Sequence, residues 1–350
     1  MQGVDHVPLV EVTRGEIVES VHYGAFCVAD RFGNLYAHAG NPEYLTFPRS
    51  SLKPFQALTL IEQGGAEHFG FFGEEIAIIC GSHAGTPLHQ AVLEGMHLKI
   101  GTTGEDLACG VHWPYDTEAR EAMKLAGQSP TVFNHNCSGK HTGMLAYAKL
   151  RGFSTEDYLD PLHPVQVSIR ETIADMVDLP PGALPLGIDG CSAPVYAISM
   201  DRMAQAVAKL ADPTGLAVPR QGACRLITAA MMAHPVMVAG VGQFDTDLMI
   251  AAGGKVFSKG GAEGYQIIGV LPDAIAKGSP GLGIAIKIAD GDPRGRARAA
   301  VSLTILKALG VLDEQDQARM VAYGNVPVQN WRKLVVGEVR PAFNWQDFAD

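Results

Sequence analysis

The chain has 350 residues, which at about 150 per domain allows two domains or one large one. Hydrophobic residues make up 47% and charged residues 18%, a composition that excludes disordered, collagen-like and disulfide-scaffold proteins. Twenty-seven basic against 37 acidic residues leave a formal charge of −10 with no run of one sign, which speaks against nucleic acid and leaves any anionic substrate to be caught by a local cation.

The first 48 residues alternate as strands do. Val10 to Val12, Ile17 to Val21, Ala25 to Ala29 and Leu35 to Ala37 are separated by polar turns and predict an antiparallel meander. From Ser50 the period becomes helical: Phe55, Leu58, Leu60 and Ile61 are closed by Gly64-Gly65. Thr86-Pro87 reads as a cap with proline at the first helical position, followed by the stripe Leu88, Val92, Leu93 and Met96. Met144 to Leu150, Val165 to Val177, Ala197 to Leu210 and Gln221 to Met232 also read as helices. Strands are predicted at Val236 to Ala239, Lys255 to Ser258, Tyr265 to Leu271 and Gly283 to Ile288, then an amphipathic helix at Arg296 to Leu309. Strands at both ends with helices between them predict a mixed α+β fold: an antiparallel sheet with flanking helices and a helical insert. The division expected is a sheet domain of residues 1–49 plus 190–350 and a helix-rich insert of residues 50–189, forming one enzyme unit.

No stretch reaches the ~18 to 20 apolar residues of a membrane helix, and MQGVDHVPLVEVTRGEIVES lacks the basic and apolar regions of a signal peptide. Cys27, Cys80, Cys109, Cys137, Cys191 and Cys224 are therefore expected to be free thiols or metal ligands in a reducing cytoplasm.

Four clusters could carry chemistry. Ser50-Ser51-Leu52-Lys53 is a Ser-x-x-Lys at a helix start, and residues three apart project from one side of a helical turn. A neutral lysine there can take the serine proton and make the hydroxyl an acyl nucleophile. Pro54 biases Lys53 away from the α region, and a 3₁₀ first turn would bring the pair together equally well. The second cluster, Cys80-Gly81-Ser82-His83-Ala84-Gly85, follows the apolar run Ile76 to Ile79; its small residues expose Ser82 and free backbone N–H groups for an anion. The third, Ser258-Lys259-Gly260-Gly261, begins on a predicted strand and is similar to the Lys-Thr-Gly strand of serine acyl-transfer enzymes. Its lysine would depress the pKa of Lys53 by like-charge repulsion. The fourth pairs Asn136-Cys137-Ser138-Gly139-Lys140-His141 with Asp189-Gly190-Cys191-Ser192. Cysteine and histidine four apart share a helix face, and a second cysteine with an aspartate could complete a zinc site. His141 is the natural nitrogen ligand, since a protonated lysine offers no lone pair. Each cluster alone also fits a bland reading, a capped helix start or a glycine turn; their number and order favour Ser/Lys acyl transfer.

The blocks VEVTRGEIVESVHYGA, RSSLKPFQAL, CGSHAGTPLHQ, NCSGKHTGML, GIDGCSAPVYAISM, SKGGAEG and NWRKLVVGEVRPAF, in this order along the chain, resemble the rhizobial-type L-asparaginases, the asparaginase II family. The resemblance implies a serine-β-lactamase-like fold and hydrolysis of L-asparagine to L-aspartate and ammonia. It implies two Ser–Lys pairs, Ser50 with Lys53 and Ser82 with Lys259. It also implies a zinc ion on Cys137, Lys140 and Cys191, with Asp189 and His141 beside it as substrate-binding residues, and a homodimer. In this reading Zn²⁺ orients substrate or steadies the site rather than activating water. Arg49 would hold the substrate carboxylate through a bidentate contact. Ser50 is the first expectation as nucleophile and Ser82 the second. A glutaminase or other small-amide hydrolase stands next to this reading, because one methylene is worth only ~1 to 3 kcal/mol of discrimination. A penicillin-recognising enzyme and, from another class, a zinc-dependent binding or sensor protein complete the set.

Overall fold

A computed structural model describes residues 6–348 and divides the chain into two compact units. One comprises Met1–Ser51, Ile198–Asp212 and Asp247–Asp350; the other comprises Leu52–Ala197 and Pro213–Thr246.

The first unit is built on an antiparallel sheet whose strands lie in the order Val326–Gln329, Val335–Pro341, Val7–Arg14, Ile17–Asp30, Leu282–Ile288, Tyr265–Val270 and Val256–Gly260, with Leu35–Ala39 also paired to Ile17–Asp30. The long strand Ile17–Asp30 is exposed over its first four residues, alternates around His22 and Tyr23, and is buried on both faces from Ala25 to Asp30. Its register sets Cys27 opposite Ala285 and His38, so the predicted meander and the late strands meet in one sheet. Helices Met200–Ala211 and Ala297–Ala308 pack on this sheet. Gly283 has no side chain because a Cβ there would run into the Ala204 carbonyl oxygen, so the first of these helices lies directly on the strand.

The second unit is helical. Lys53–Ile61 packs against Ser138–Arg151, Pro164–Met176 and Val218–Ala233, and Gly73–Ile79 packs against Ser138–Arg151 and Val218–Ala233. The segment Pro213–Thr246 lies with this unit because its main helix buries Cys224, Ile227 and Met231 here. The strand expected at Val236 to Ala239 is instead the short helix Pro235–Val238. An apolar run this short does not distinguish strand from helix, and Pro235 at the first helical position decides it. A two-stranded hairpin, Leu186–Ile188 with Pro194–Tyr196, completes the unit. Among the described residues no helix is long and apolar enough to cross a membrane.

Candidate active site

Lys53 is the most deeply placed cation of the helical unit's polar centre. A 3₁₀ turn, Arg49–Leu52, leads directly into helix Lys53–Ile61, with Pro54 in its first turn, so proline starts the helix rather than breaking it. The Lys53 side chain is 1% exposed. Its ammonium nitrogen lies 2.5 Å from the Gly81 carbonyl, 2.9 Å from Ser82 Oγ and 3.3 Å from the Asn136 carbonyl. Burial pulls its pKa below the ordinary lysine value, and the Lys140 charge adds to this while the thiols of Cys137 and Cys191 oppose it. The partner count suits a base. As an ammonium it donates to all three oxygens; as a neutral amine it keeps two N–H bonds on the carbonyls and turns its lone pair to the Ser82 hydroxyl.

Ser82 sits just past helix Gly73–Ile79. Its N–H donates to the Val238 carbonyl at 2.7 Å. Gly81 permits this approach, since a Cβ would meet the carbonyl oxygens of Met237 and Val238. The Gly85 N–H is taken by His83 Nδ1 at 3.2 Å, so in this loop the N–H groups of His83 and Ala84 are the ones without an acceptor among the described residues. His83 is buried and held neutral by that burial; its Nε2–H donates to Ser138 Oγ at 2.9 Å, and Ser138 in turn donates to the His135 carbonyl at 2.8 Å.

Helix Ser138–Arg151 brings Lys140 and His141 to the same centre. Gly139 and Gly143 let it lie against Ile78 and Ile79, where a Cβ on Gly139 would strike the Ile78 carbonyl. The hairpin tip carries Cys191 there, closed by Asp189 N–H to Ala193 O and Ser192 N–H to Asp189 O, both 2.9 Å, with Ser192 in the left-handed region at φ +69°. Cys137, Lys140 and Cys191 are all nearly inaccessible, at 5%, 3% and 2%. Lys140 Nζ donates to Cys191 Sγ at 2.9 Å, and the two thiols share a hydrogen bond. That bond, with the charges of Lys53 and Lys140, holds Cys137 well below the ordinary thiol value against the opposing effect of its burial. Burial works against charge on Lys140, but the two cysteines and Asp189 keep it protonated.

This donor set fits a zinc ion. Two cysteines and one lysine nitrogen are in mutual reach, and two soft sulfur donors favour zinc over hard cations. Among the described residues no three His, Cys, Asp or Glu side chains converge, so the third donor would be the Lys140 amine, which metal binding would have to deprotonate. His141 Nδ1 lies 2.7 Å from the Tyr158 hydroxyl, while its buried Nε2 has no hydrogen-bond partner among the described residues.

The expected residues are thus distributed over both units. Lys53, Ser82, Cys137, Lys140, His141, Asp189 and Cys191 belong to the helical unit, and Arg49, Ser50 and Lys259 to the sheet unit. Arg49 takes the left-handed backbone region at φ +53°, a strained place for a branchless cation in a 3₁₀ turn. Ser50 is half-buried, while Ser51, not singled out from the sequence, is fully buried and donates to the Lys259 carbonyl at 2.9 Å. Lys259 is buried, with its amine 2.5 Å from the Gly260 carbonyl. The expected partner of Lys53 was Ser50; the hydroxyl it meets is that of Ser82.

Several supporting residues escaped the sequence reading. His135 Nδ1 accepts the Cys137 N–H at 3.0 Å, and His112 Nε2 accepts the Asn136 N–H at 3.0 Å, so two imidazoles 4.4 Å apart brace the peptide that Lys53 touches. His83 and His135 lie beside the singled-out serine and cysteine, a signal that was present. Tyr158 and His112 are far from any motif and gave none. Cys109 stands near Cys137 and remains a thiol, pushed up to about 12 chiefly by burial.

A model of the L-asparaginase II family matches residues 10–341. The chain belongs to the L-asparaginase II family. Its members are amidohydrolases, and a small-molecule amide is the class of substrate that follows. A comparison with curated protein sequences finds no match. Among solved structures, a Bacillus glutaminase is 14% identical with a TM-score of 0.38, covering 83% of this chain and 91% of that one. A probable glutaminase from Bacillus subtilis bound to 6-diazo-5-oxo-L-norleucine is 14% identical with a TM-score of 0.39, covering 83% and 84%. A β-lactamase from Mycobacterium bovis is 13% identical with a TM-score of 0.41, covering 82% and 95%.

Proposed function

We propose that this amidohydrolase is an L-asparaginase that works through a seryl acyl-enzyme, with Ser82 as nucleophile and Lys53 as its base. The observation that carries the reading is the buried Lys53 amine 2.9 Å from Ser82 Oγ, in a chain of the L-asparaginase II family. The Lys53 amine takes the hydroxyl proton as Ser82 Oγ attacks the side-chain amide carbon. The N–H groups of His83 and Ala84 receive the oxyanion. Lys53 returns the proton to the departing nitrogen, which leaves as ammonia. Water then attacks the aspartyl ester, Lys53 again taking a proton, and Ser82 is released with L-aspartate.

Ser50 and Lys259, the other members of the two Ser–Lys pairs that the resemblance implies (Ser50 with Lys53, Ser82 with Lys259), stay in the proposal as catalytic residues, and Arg49 as the cation for the substrate α-carboxylate. Zinc on Cys137, Lys140 and Cys191 would neutralise thiolate charge and stiffen the segment around Asn136 beside Lys53. The homodimer remains part of the proposal, tested by light scattering of the purified chain. So does a cytoplasmic location, which six free, buried cysteines support.

Ammonia release from L-asparagine and L-glutamine by wild type, Ser82→Ala, Ser50→Ala and Lys53→Met tests the reading. Asparagine-selective release lost in Ser82→Ala, with an aspartyl mass increment trapped on the wild type by rapid acid quench, is expected. Near-normal turnover in Ser82→Ala with loss in Ser50→Ala would transfer the nucleophile to Ser50. Preference for glutamine would make the enzyme a glutaminase, and release from neither amide would refute the function.

A further inference from the structure

We propose that a cavity along helix Ala297–Ala308 binds an amphipathic monocarboxylate, a small molecule with an apolar tail and one anionic head, at a place that shares no residue with the polar centre around Lys53. The cavity holds about 500 Å³ and is lined entirely by the sheet unit. That volume falls within the ~300–1,000 Å³ of small-molecule sites. One wall is a stripe of the helix: Ala300, Leu303, Thr304 and Lys307 stand at positions i, i+3, i+4 and i+7, which share a face. Val301 and Ile305, on the adjoining face, are fully buried, and the helix packs on the sheet. The amphipathic pattern at Arg296 to Leu309 thus serves two surfaces, the sheet and the cavity. Gln317, Met320 and Val321 supply a second wall, and Pro341 and Phe343, at and beyond the end of the last strand, supply a third.

These walls are braced before any ligand arrives. The Phe343 ring lies 5.3 Å from that of the fully buried Phe26. Gln317 Nε2 donates to the Leu312 carbonyl at 2.9 Å, and the Tyr323 hydroxyl donates to Asp247 at 2.7 Å, which ties down the segment after helix Glu314–Arg319. A pre-formed site lowers the ordering cost of binding. The lining then selects the ligand. Most of it is carbon, from Ala300, Leu303, Met320, Val321, Pro341 and Phe343. Among the described residues that line it, Lys307 is the one charged side chain, and it makes neither a hydrogen bond nor an ion pair. The Thr304 hydroxyl is already given to the Ala300 carbonyl at 2.8 Å, so it does not compete as a donor. An unpaired ammonium at one end of an apolar channel is the complement of a carboxylate, and in a chain of charge −10 such a local cation is what an anion requires. From Ala300 to Lys307 the helix rises about 10 Å, the reach of a medium-chain acyl tail or a pair of rings.

Titration calorimetry of the full chain with octanoate and with neutral octan-1-ol, for wild type, Lys307→Glu and Leu303→Glu, tests this, with thermal midpoints to show that each variant is folded. The expected result is saturable uptake of about one octanoate per chain, tighter than that of octan-1-ol. Lys307→Glu replaces attraction by repulsion and is expected to weaken octanoate about tenfold while leaving octan-1-ol unchanged. Leu303→Glu puts a charge into the apolar wall and is expected to abolish uptake of both. Absence of saturable octanoate binding in the wild type overturns the proposal, even where Leu303→Glu does not fold, and so does equal octanoate affinity in wild type and Lys307→Glu. Light scattering covers the remaining occupant: conversion of a dimer to a monomer by Leu303→Glu, with no octanoate uptake by the wild type, would give the groove to a second copy of the chain. Because binding is read without turnover, failure of the amidase reading would leave this proposal standing, and the reverse.

Discussion

Replacing Lys53 by methionine keeps the length of the side chain and removes its nitrogen, which separates two contributions that the wild type combines. The first is structural. Lys53 supplies hydrogen bonds to the Gly81 and Asn136 carbonyls, at 2.5 and 3.3 Å, in a site where the lysine itself is 1% exposed. An acceptor left unpaired in such surroundings costs about 1–3 kcal/mol, so two would cost about 2–6. The longer bond is the weaker, and removing a buried amine relieves its own desolvation, so a net loss of ~2–4 kcal/mol is expected. The second contribution is chemical: without the amine nothing accepts the Ser82 proton, and general-base catalysis is worth about 10² to 10⁴ in rate. Urea unfolding at an unchanged m-value gives the first quantity, and ammonia release under conditions where the variant is fully folded gives the second. Turnover within about tenfold of wild type in folded Lys53→Met would refute the base assignment. A stability equal to wild type would refute the claim that Lys53 satisfies the two carbonyls.

Three further outcomes follow from particular contacts. Gly139→Ala gains helix propensity of about 1 kcal/mol but drives a Cβ into the Ile78 carbonyl, so a net loss of ~1–3 kcal/mol is expected, with reduced ammonia release because Lys140 moves with its helix; a thermal midpoint and activity equal to wild type would refute the packing argument. His97, 3% exposed, is lowered to about 4 by burial, with Asp106 opposing; between that value and 6.5 the unfolded chain binds more protons, so stability is complete above about pH 6.5 and falls as pH drops toward 4. The bound set by 1.36 kcal/mol per unit is ~3 kcal/mol, cut by screening to ~1–2, and His97→Gln should flatten this acid limb in pH-dependent urea titrations; an unchanged limb would refute the assignment. Cys191→Ser should lower zinc measured by mass spectrometry from about one per chain to below a tenth, whereas unchanged zinc would place the metal elsewhere.

The fold was legible where periodicity was long. The strand at Leu282–Ile288 and the helices Pro164–Met176 and Ala297–Ala308 stand within a few residues of their sequence-based bounds, and the opening meander is antiparallel as expected except that Ile17 to Val21 and Ala25 to Ala29 form one continuous strand. The short run at Val236 was not, because four apolar residues fit either period and the proline that decides it lies just outside the run. The closing strands Val326–Gln329 and Val335–Pro341 went unread for a different reason. Apart from the buried Val339 they are at most half-buried. Val335–Pro341 gains its place by pairing back to Val7–Arg14, a partner more than 300 residues earlier that no local window contains, and Val326–Gln329 gains its place by pairing with Val335–Pro341.

Which hydroxyl Lys53 touches was not legible in the spacing of the motifs. Three-residue spacing made Ser50 the natural partner of Lys53, since spacing measures reach along one helix. Side-chain reach in a folded unit is decided by what crosses over it, and here the loop after Ile79 crosses Lys53 and offers Ser82. That loop can do so because Gly81 yields to Met237 and Val238, and because Gly139 yields to Ile78. Glycines that look like turn punctuation in the sequence are, in the folded chain, the close approaches that determine which serine a buried lysine meets. The same holds for His141: its spacing from Cys137 pointed to a metal ligand, and Tyr158, seventeen residues on, takes up one of its two ring nitrogens.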